Sequence, residues 1–487
     1  MHSFFLVLLG VTQALYLFGL VIVLWLYARP VNLVQLDGGT STRGGEPAII
    51  LFYPVLRELE ETMRTTFTGM TRAHYPRDLL RVVAIPNHDD EQSIAALHRL
   101  QAEFDFLEVM PVPATSDPSW RPVWSSWDMN PKSYWWHVGK RAGETALPPK
   151  KTRQLIWATY QLGPDNPDAL LSYIDADSVV PADYFRGAAV GMRHYDVIQY
   201  TNIAGNLLQT QASSLYAMDH ICWDASLYKH MTAHGKHPFY VLGKGLFFRF
   251  GDVLEVGGFH PWLTIEDPEI GLRLWTNGAR LGVVESPLIE EVPLTFTAGV
   301  VQRKRWIAGF FQTLGSPLTH MGMTARARWR ARLNLVPTLT LLVNPFGFVI
   351  GTWALIGAIT SSTTFVPIPL QWLCILTLFL TALIVGYGQR QAWRMSKPVL
   401  PRKRDRARFL FRVNPLFLFI YWLWWTMPIV IGLWMYLTDG GLVWVRTTKV
   451  DANSALVRGR EFQGSAGVNA AIADPVHSEP SGSGPVK

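Results

Sequence analysis

Three stretches of the chain contain no Asp, Glu, Lys or Arg: residues 3–27, 333–389 and 413–438. Runs this apolar avoid water, and in lipid the backbone satisfies its own polar groups only as a helix or a closed barrel. A helix crosses the hydrocarbon core in about 20 residues. Residues 333–389 are too long for one crossing, and Ser361-Ser362-Thr363-Thr364 with Pro367 and Pro369 divides them into two. Four spans are therefore predicted: one in 1–28, two in 333–389 and one in 413–438. The first reads as an uncleaved anchor rather than a signal peptide. Met1-His2-Ser3 carries no Lys or Arg, and Tyr27-Ala28-Arg29-Pro30 is a poor cleavage site. Only 17 % of residues are charged, against roughly 25 % in soluble domains.

Basic residues in short loops mark the cytosolic side. Residues 390–412 hold nine Lys or Arg and one Asp, so this basic loop is predicted to be cytosolic. The N-terminus and the loop near Thr363 then lie outside, and the polar middle region lies inside. Arg326, Arg328, Arg330 and Arg332 agree with that orientation. The expectation is a multi-pass protein of the cell (inner) membrane. Four spans put the C-terminus outside, whereas Arg446 and Lys449 favour the inside. A re-entrant segment at Asn344-Pro345 would change the parity. The net charge of +7 sits largely beside the apolar runs, which favours lipid headgroups as partner and not nucleic acid. Cys222 and Cys374 lie in regions of opposite polarity, so neither a disulfide framework nor a Cys-based metal site is expected. The tail at 459–487, rich in Gly, Ala, Ser and Pro, reads as disordered.

The middle region alternates short apolar runs of strand length, at 48–53, 80–85, 106–111, 169–174 and 197–200, with helical patterns such as 56–68 and 90–104. That alternation predicts an α/β fold, whose ligands bind at the carboxyl ends of the strands. Asp175-Ala176-Asp177 ends one such strand, and two carboxylates one residue apart can hold Mg²⁺ or Mn²⁺ against a diphosphate. Glu266-Asp267 opens a helical pattern. A carboxylate there is either a helix cap or a general base, and spacing alone favours the cap. Gln302-Arg303-Lys304-Arg305-Trp306 fits an interfacial amphipathic helix. It also offers a cation, Arg305, to a leaving diphosphate. Trp329, Trp353, Trp372 and the cluster Trp422 to Trp425 read as interfacial belt aromatics.

In this order, between an N-terminal span and a C-terminal group of spans, these motifs resemble the membrane-embedded family-2 glycosyltransferases, the group of cellulose, hyaluronan and curdlan synthases and ceramide glucosyltransferase. Asp175-Ala176-Asp177 looks like the family's DxD, Glu266-Asp267 like the end of its TED motif, and 302–306 match QxxRW. Gly243 to Arg249, Val256 to Phe259 and Lys151 are similar to further family segments. The resemblance implies a cytosolic GT-A type nucleotide-sugar-binding domain at 44–295, amphipathic interfacial helices at 296–332, and inverting transfer by single displacement. It implies Asp267 as base with Glu266 beside it, and Arg305 on the leaving group. Asp175 and Asp177 would hold the metal. Glu58, Asn87, Asp89, Lys151, Asp175 and Arg305 would face the donor, a UDP-sugar. Gln302, Trp306 and Phe247 would face the acceptor.

The pattern also departs from the family. Only Pro54 and Glu58 remain of its first motif, Asn87 stands where an Asp contacts uridine, with Asp89 or Asp90 to compensate, and Ile265 replaces the TED threonine. The expected function is hexose transfer from a nucleotide sugar to a growing polysaccharide with coupled export. Four spans are few for a channel, so a homo-oligomer or an accessory export partner would complete it. The alternative is addition of a single sugar to a membrane lipid, and a remote one is a non-enzymatic membrane subunit.

Overall fold

A computed structural model describes residues 2–35, 45–231, 237–316, 320–334, 336–360, 366–438 and 450–458. The tail at 459–487, the loop at 361–364, Arg446 and Lys449 lie outside the described residues.

The polar middle region forms a mixed sheet of seven strands: β1 (Ile49–Val55), β2 (Leu80–Pro86), β3 (Leu107–Val109), β4 (Leu170–Tyr173), β5 (Val197–Ala204), β6 (Leu246–Arg249) and β7 (Leu281–Glu290), in the order β3-β2-β1-β4-β6-β5-β7. β1 lies parallel between β2 and β4, with Ile49 opposite both Leu80 and Leu170. It is an unbroken apolar run because both its faces are covered. Ile50 and Phe52 enter one core, and Ile49, Leu51, Tyr53 and Val55 the other. β6 is antiparallel to β4 and β5. Neither β6 nor β7 was among the strands expected from the sequence. The helix Glu91–Gln101 starts where its cap demands, with the Asp90 carboxylate accepting from the Ser93 amide at 3.2 Å.

Three helices are long and apolar enough to cross a membrane: Ser3–Tyr27, Ile368–Met395 and Pro415–Leu437. The fourth expected span is instead two pieces, Val336–Thr340 and the 17-residue Asn344–Thr360. Within this group the buried Gln13 amide donates to the Gly347 carbonyl at 2.5 Å and its oxygen accepts from Thr377 at 2.6 Å. A polar side chain is kept at that depth by bonding across helices.

Pro415–Leu437 lies beside the helix Phe296–Gly315 and runs in the same sense. Trp424 meets Phe296 at 5.8 Å between ring centroids, Gly432 faces Ile307, and Tyr436 stacks on Phe311 at 5.9 Å. The segment after it, residues 450–458, packs directly against the sheet domain. Amides of Val450 and Ala452 donate to Glu291 at 3.1 and 2.5 Å, and Asn453 donates to the Asp177 carbonyl at 3.2 Å. The segment after the last long helix thus lies against the sheet domain, where Arg446 and Lys449 favour placing it and a count of four spans does not.

Candidate functional site

The carboxyl ends of β1, β4 and β7 open into a cavity of about 250 Å³. This is the position where α/β sheets take ligands. Asp175 and Asp177 follow β4, Glu290 and Glu291 end and follow β7, and Glu58 follows β1. Gly243 and Lys244 precede β6, Glu266 and Asp267 open the helix Asp267–Thr276, and Gln302, Arg305 and Trp306 come from Phe296–Gly315. Gln302, Arg305 and Trp306 share one helical face because they stand at i, i+3 and i+4.

The Asp175-Ala176-Asp177 turn is pinned from outside the motif. The Ala176 carbonyl accepts from the Tyr53 hydroxyl at 2.7 Å and from Thr66 at 2.8 Å. Asp177, 3 % exposed, accepts from the Glu291 amide at 2.8 Å. Lys151 binds Asp175 at 2.8 Å and the Gly243 carbonyl at 2.7 Å, with Glu266 3.7 Å away. Burial alone would lower the Lys151 ammonium. The Asp175 and Glu266 carboxylates outweigh it and hold its pKa above the ordinary lysine value.

Asp267 is raised to about 8, first by burial and then by the neighbouring Glu266, with Lys151 opposing. A Cβ on Gly243 would stand 3.2 Å from the Asp267 carboxyl carbon, so glycine lets the chain pass this close. Partial burial lowers the Arg305 pKa, while Asp175 acts in the other direction. Opposite them lies a charged group that sequence reasoning missed. Lys244 pairs with Glu290 and stands 4.0 Å from Asp224. Burial raises Glu290 to about 7, Lys244 counters, and Asp175 and Asp177 add to the rise. The strand β7 that delivers Glu290 was itself not expected, and no local pattern marked it.

Three expected site residues lie off the cavity wall. Phe247 is fully buried in the sheet core, its ring 4.9 Å from Tyr184 and 6.0 Å from Tyr200. The acceptor role given to it is corrected: β6 alternation turns it into the core. Asn87 is also fully buried, and its carboxamide oxygen accepts from Arg153 at 2.6 and 3.2 Å. Asp89 stands 3.9 Å from the same guanidinium. Asn87 and Asp89 thus meet at Arg153, beside the cavity lining and not within it.

The docked C-terminal segment braces this wall through Glu291 and Asp177. Hydrogen bonds to a charged group contribute about 1.5–3 kcal/mol each. Ending the chain at residue 449 is expected to lower the melting temperature by several degrees and to reduce turnover. An unchanged melt would show that the contacts with Glu291 carry no stability.

No curated protein sequence matches the chain. Among solved structures, it is similar to the mannosyltransferase PcManGT from Pyrobaculum calidifontis in complex with GDP-Man and Mn²⁺, at 14 % identity and a TM-score of 0.50, over 90 % of this chain and 99 % of that one. S. aureus TarS 1-349 in complex with UDP-GlcNAc aligns at 10 % identity and a TM-score of 0.34, over 74 % and 92 % of the two chains. A family model described as glycosyl transferase family group 2 matches residues 170–437. That stretch runs from β4 through the helix Pro415–Leu437 and takes in Asp175, Asp267 and Arg305. Matched over more than half of its 487 residues, the chain belongs to glycosyl transferase family group 2.

Proposed function

We propose that the protein is an inverting glycosyltransferase working at a membrane surface, taking a sugar from a nucleoside-diphosphate donor and placing it on an acceptor hydroxyl. The observation that carries this reading is the meeting of Asp175, Asp177, Asp267 and Arg305 around one cavity. The sugar's anomeric carbon is attacked by the acceptor oxygen as its bond to the diphosphate breaks. Asp267, with its raised pKa, receives the hydroxyl proton. Arg305 faces the charge that develops on the departing diphosphate, and Lys151 orients Asp175 from behind. Gln302 and Trp306 stand on the acceptor side.

The donor set fits a divalent cation. Asp175 and Asp177 line the cavity one residue apart, a pair that donor phosphate oxygens would complete around the ion, and among the described residues no cluster of three or more His, Cys, Asp or Glu gathers to hold one without them. Asp175 and Asp177 would hold the ion, and bound Mg²⁺ or Mn²⁺ supplies charge neutralisation at the diphosphate. The mannosyltransferase named above binds GDP-Man with Mn²⁺, so GDP-mannose belongs beside UDP-sugars in the donor screen.

The test is nucleotide release by the detergent-solubilised full chain with Mn²⁺, from UDP-glucose, UDP-GlcNAc and GDP-mannose in turn. A metal contributes several kcal/mol at such a centre. Chelation by EDTA, and separately Asp177→Asn, are expected to cut release by about 100-fold or more. Release that survives both would remove the metal role from these two carboxylates.

A further inference from the structure

Three charged side chains on the catalytic cavity take no part in the steps above. Lys244 pairs with Glu290 and stands 4.0 Å from Asp224, and all three line the cavity. They come from three separate elements: the turn before β6, the end of β7, and the π-helix His220–Leu227. π-helical turns are rare and occur frequently at functional sites. Here the π-helix brings His220, Trp223 and Asp224 to the cavity wall. The Glu290 side chain is 4 % exposed, and those of Asp224 and Lys244 are each 13 % exposed. They are therefore not a solvated surface cluster.

The group runs between the two ends of the reaction. At one end stand Asp175 and Asp177, whose charges add to the rise in the Glu290 pKa. At the other, Asp224 lies 3.5 Å from His220, whose ring is 6.4 Å from that of Trp306. Gly243, the residue before Lys244, lets the same turn pass close to Asp267. In a single displacement the transferred sugar lies between the leaving diphosphate and the attacking oxygen. The sugar ring is therefore flanked by Lys244 and its two carboxylates.

We propose that Asp224, Lys244 and Glu290 read the transferred sugar, hydrogen-bonding the hydroxyls of an uncharged ring and rejecting a sugar that carries a carboxylate. The inference rests on the donor reading above and names the class of sugar. A carboxylate accepts hydrogen bonds and a hydroxyl donates one, so the two suit each other. Lys244 cross-links Glu290 and Asp224 and cancels one of their two charges, which leaves one negative charge on the group. A uronate would set a further carboxylate beside it, in a wall where little water screens the repulsion. The cations Lys150 and Lys151 stand on the side of Glu266 and do not offset it.

The experiment uses the detergent-solubilised full chain with Mn²⁺ at a pH of about 8, above the values of about 6 and about 7 to which burial raises Asp224 and Glu290. Each donor of the screen is paired with the uronate that shares its nucleotide: UDP-glucose with UDP-glucuronate, UDP-GlcNAc with its C6 acid, and GDP-mannose with GDP-mannuronate. The donor that gives release is expected to have a kcat/KM at least about 100-fold above that of its uronate. Asp224→Asn and Glu290→Gln each remove one charge and keep the shape, and each is expected to narrow that ratio by about tenfold. A merely structural role would lower both donors together and leave the ratio unchanged. A uronate used as well as its uncharged partner or better, or a ratio that neither substitution narrows, would overturn the sugar reading and spare the donor reading. No nucleotide release from any donor, charged or uncharged, would instead remove the donor reading, and this inference with it.

Discussion

Asp267→Asn is expected to lower sugar transfer by about a thousandfold, within the range a positioned base contributes, and to raise the melting temperature at the same time. Both effects have one cause. Burial and Glu266 hold the Asp267 carboxyl at about 8, so ionising it in the folded protein is costly. The amide keeps the shape, accepts no proton and escapes that cost.

The pH dependence has a defined sign. The basic form accumulates as pH rises to about 8, so kcat/KM climbs through the neutral range and levels above it. Stability runs the other way. A carboxyl whose folded pKa lies above its unfolded value stabilises fully below the ordinary carboxylate range, and that contribution is lost as pH rises through about 8. The loss is of the order of a few kcal/mol, reduced because Asp267 is partly open to the cavity. Thermal melts of the two proteins from pH 5 to about 8 test this. Parallel curves would show that Asp267 ionises normally and would remove the basis for its role as base.

Arg303→Ala is expected to cost about 2–3 kcal/mol of stability, less than the penalty for stripping one partner from a fully buried pair because the Asp219 side chain is 25 % exposed. Arg303 is fully buried. Its guanidinium binds Asp219 at 3.0 and 3.2 Å and the Gln302 side chain at 2.9 Å. It lies 3.9 Å from the Tyr216 ring and 5.1 Å from Trp306. Tyr421 donates to the same Asp219 carboxylate. One cation thus joins the helix Phe296–Gly315 to two other helical segments, and it sets where Arg305 and Trp306 face. Alanine would leave the half-buried Asp219 without its counter-charge. Arg303→Lys is expected to rescue poorly, because a point ammonium neither forks nor stacks as guanidinium does. A melting temperature within a degree or two of the unmutated protein would show that Asp219 is solvated and the pair dispensable.

Arg303 occupies an unspecified position of QxxRW. Arg303 looks like any basic residue on an interfacial helix until Asp219, 84 positions away, is placed beneath it. The same division runs through the molecule. Apolar runs without charge disclosed the long helices, because a bilayer tests composition residue by residue. The strands β1, β2 and β4 were legible as short apolar runs, and the helix Glu91–Gln101 as a pattern over 90–104. The facing of Gln302, Arg305 and Trp306 follows from helical spacing. Each is a local property, written within a few residues of where it acts.

What stayed hidden depends on partners distant along the chain. β6 reads as a Gly- and Phe-rich stretch, and its strand character comes from pairing with β4 and β5. That pairing turns Phe247 into the core. Asn87 looked available until Arg153 claimed its oxygen. Lys244, Glu290 and Asp224 carry no shared spacing and meet only when the sheet closes. The return of residues 450–458 to Asp177 and Glu291 is likewise invisible to a count of spans. Periodicity and composition report how each segment meets solvent or lipid, whereas charge pairing, core facing and cavity walls arise from the packing of segments against one another.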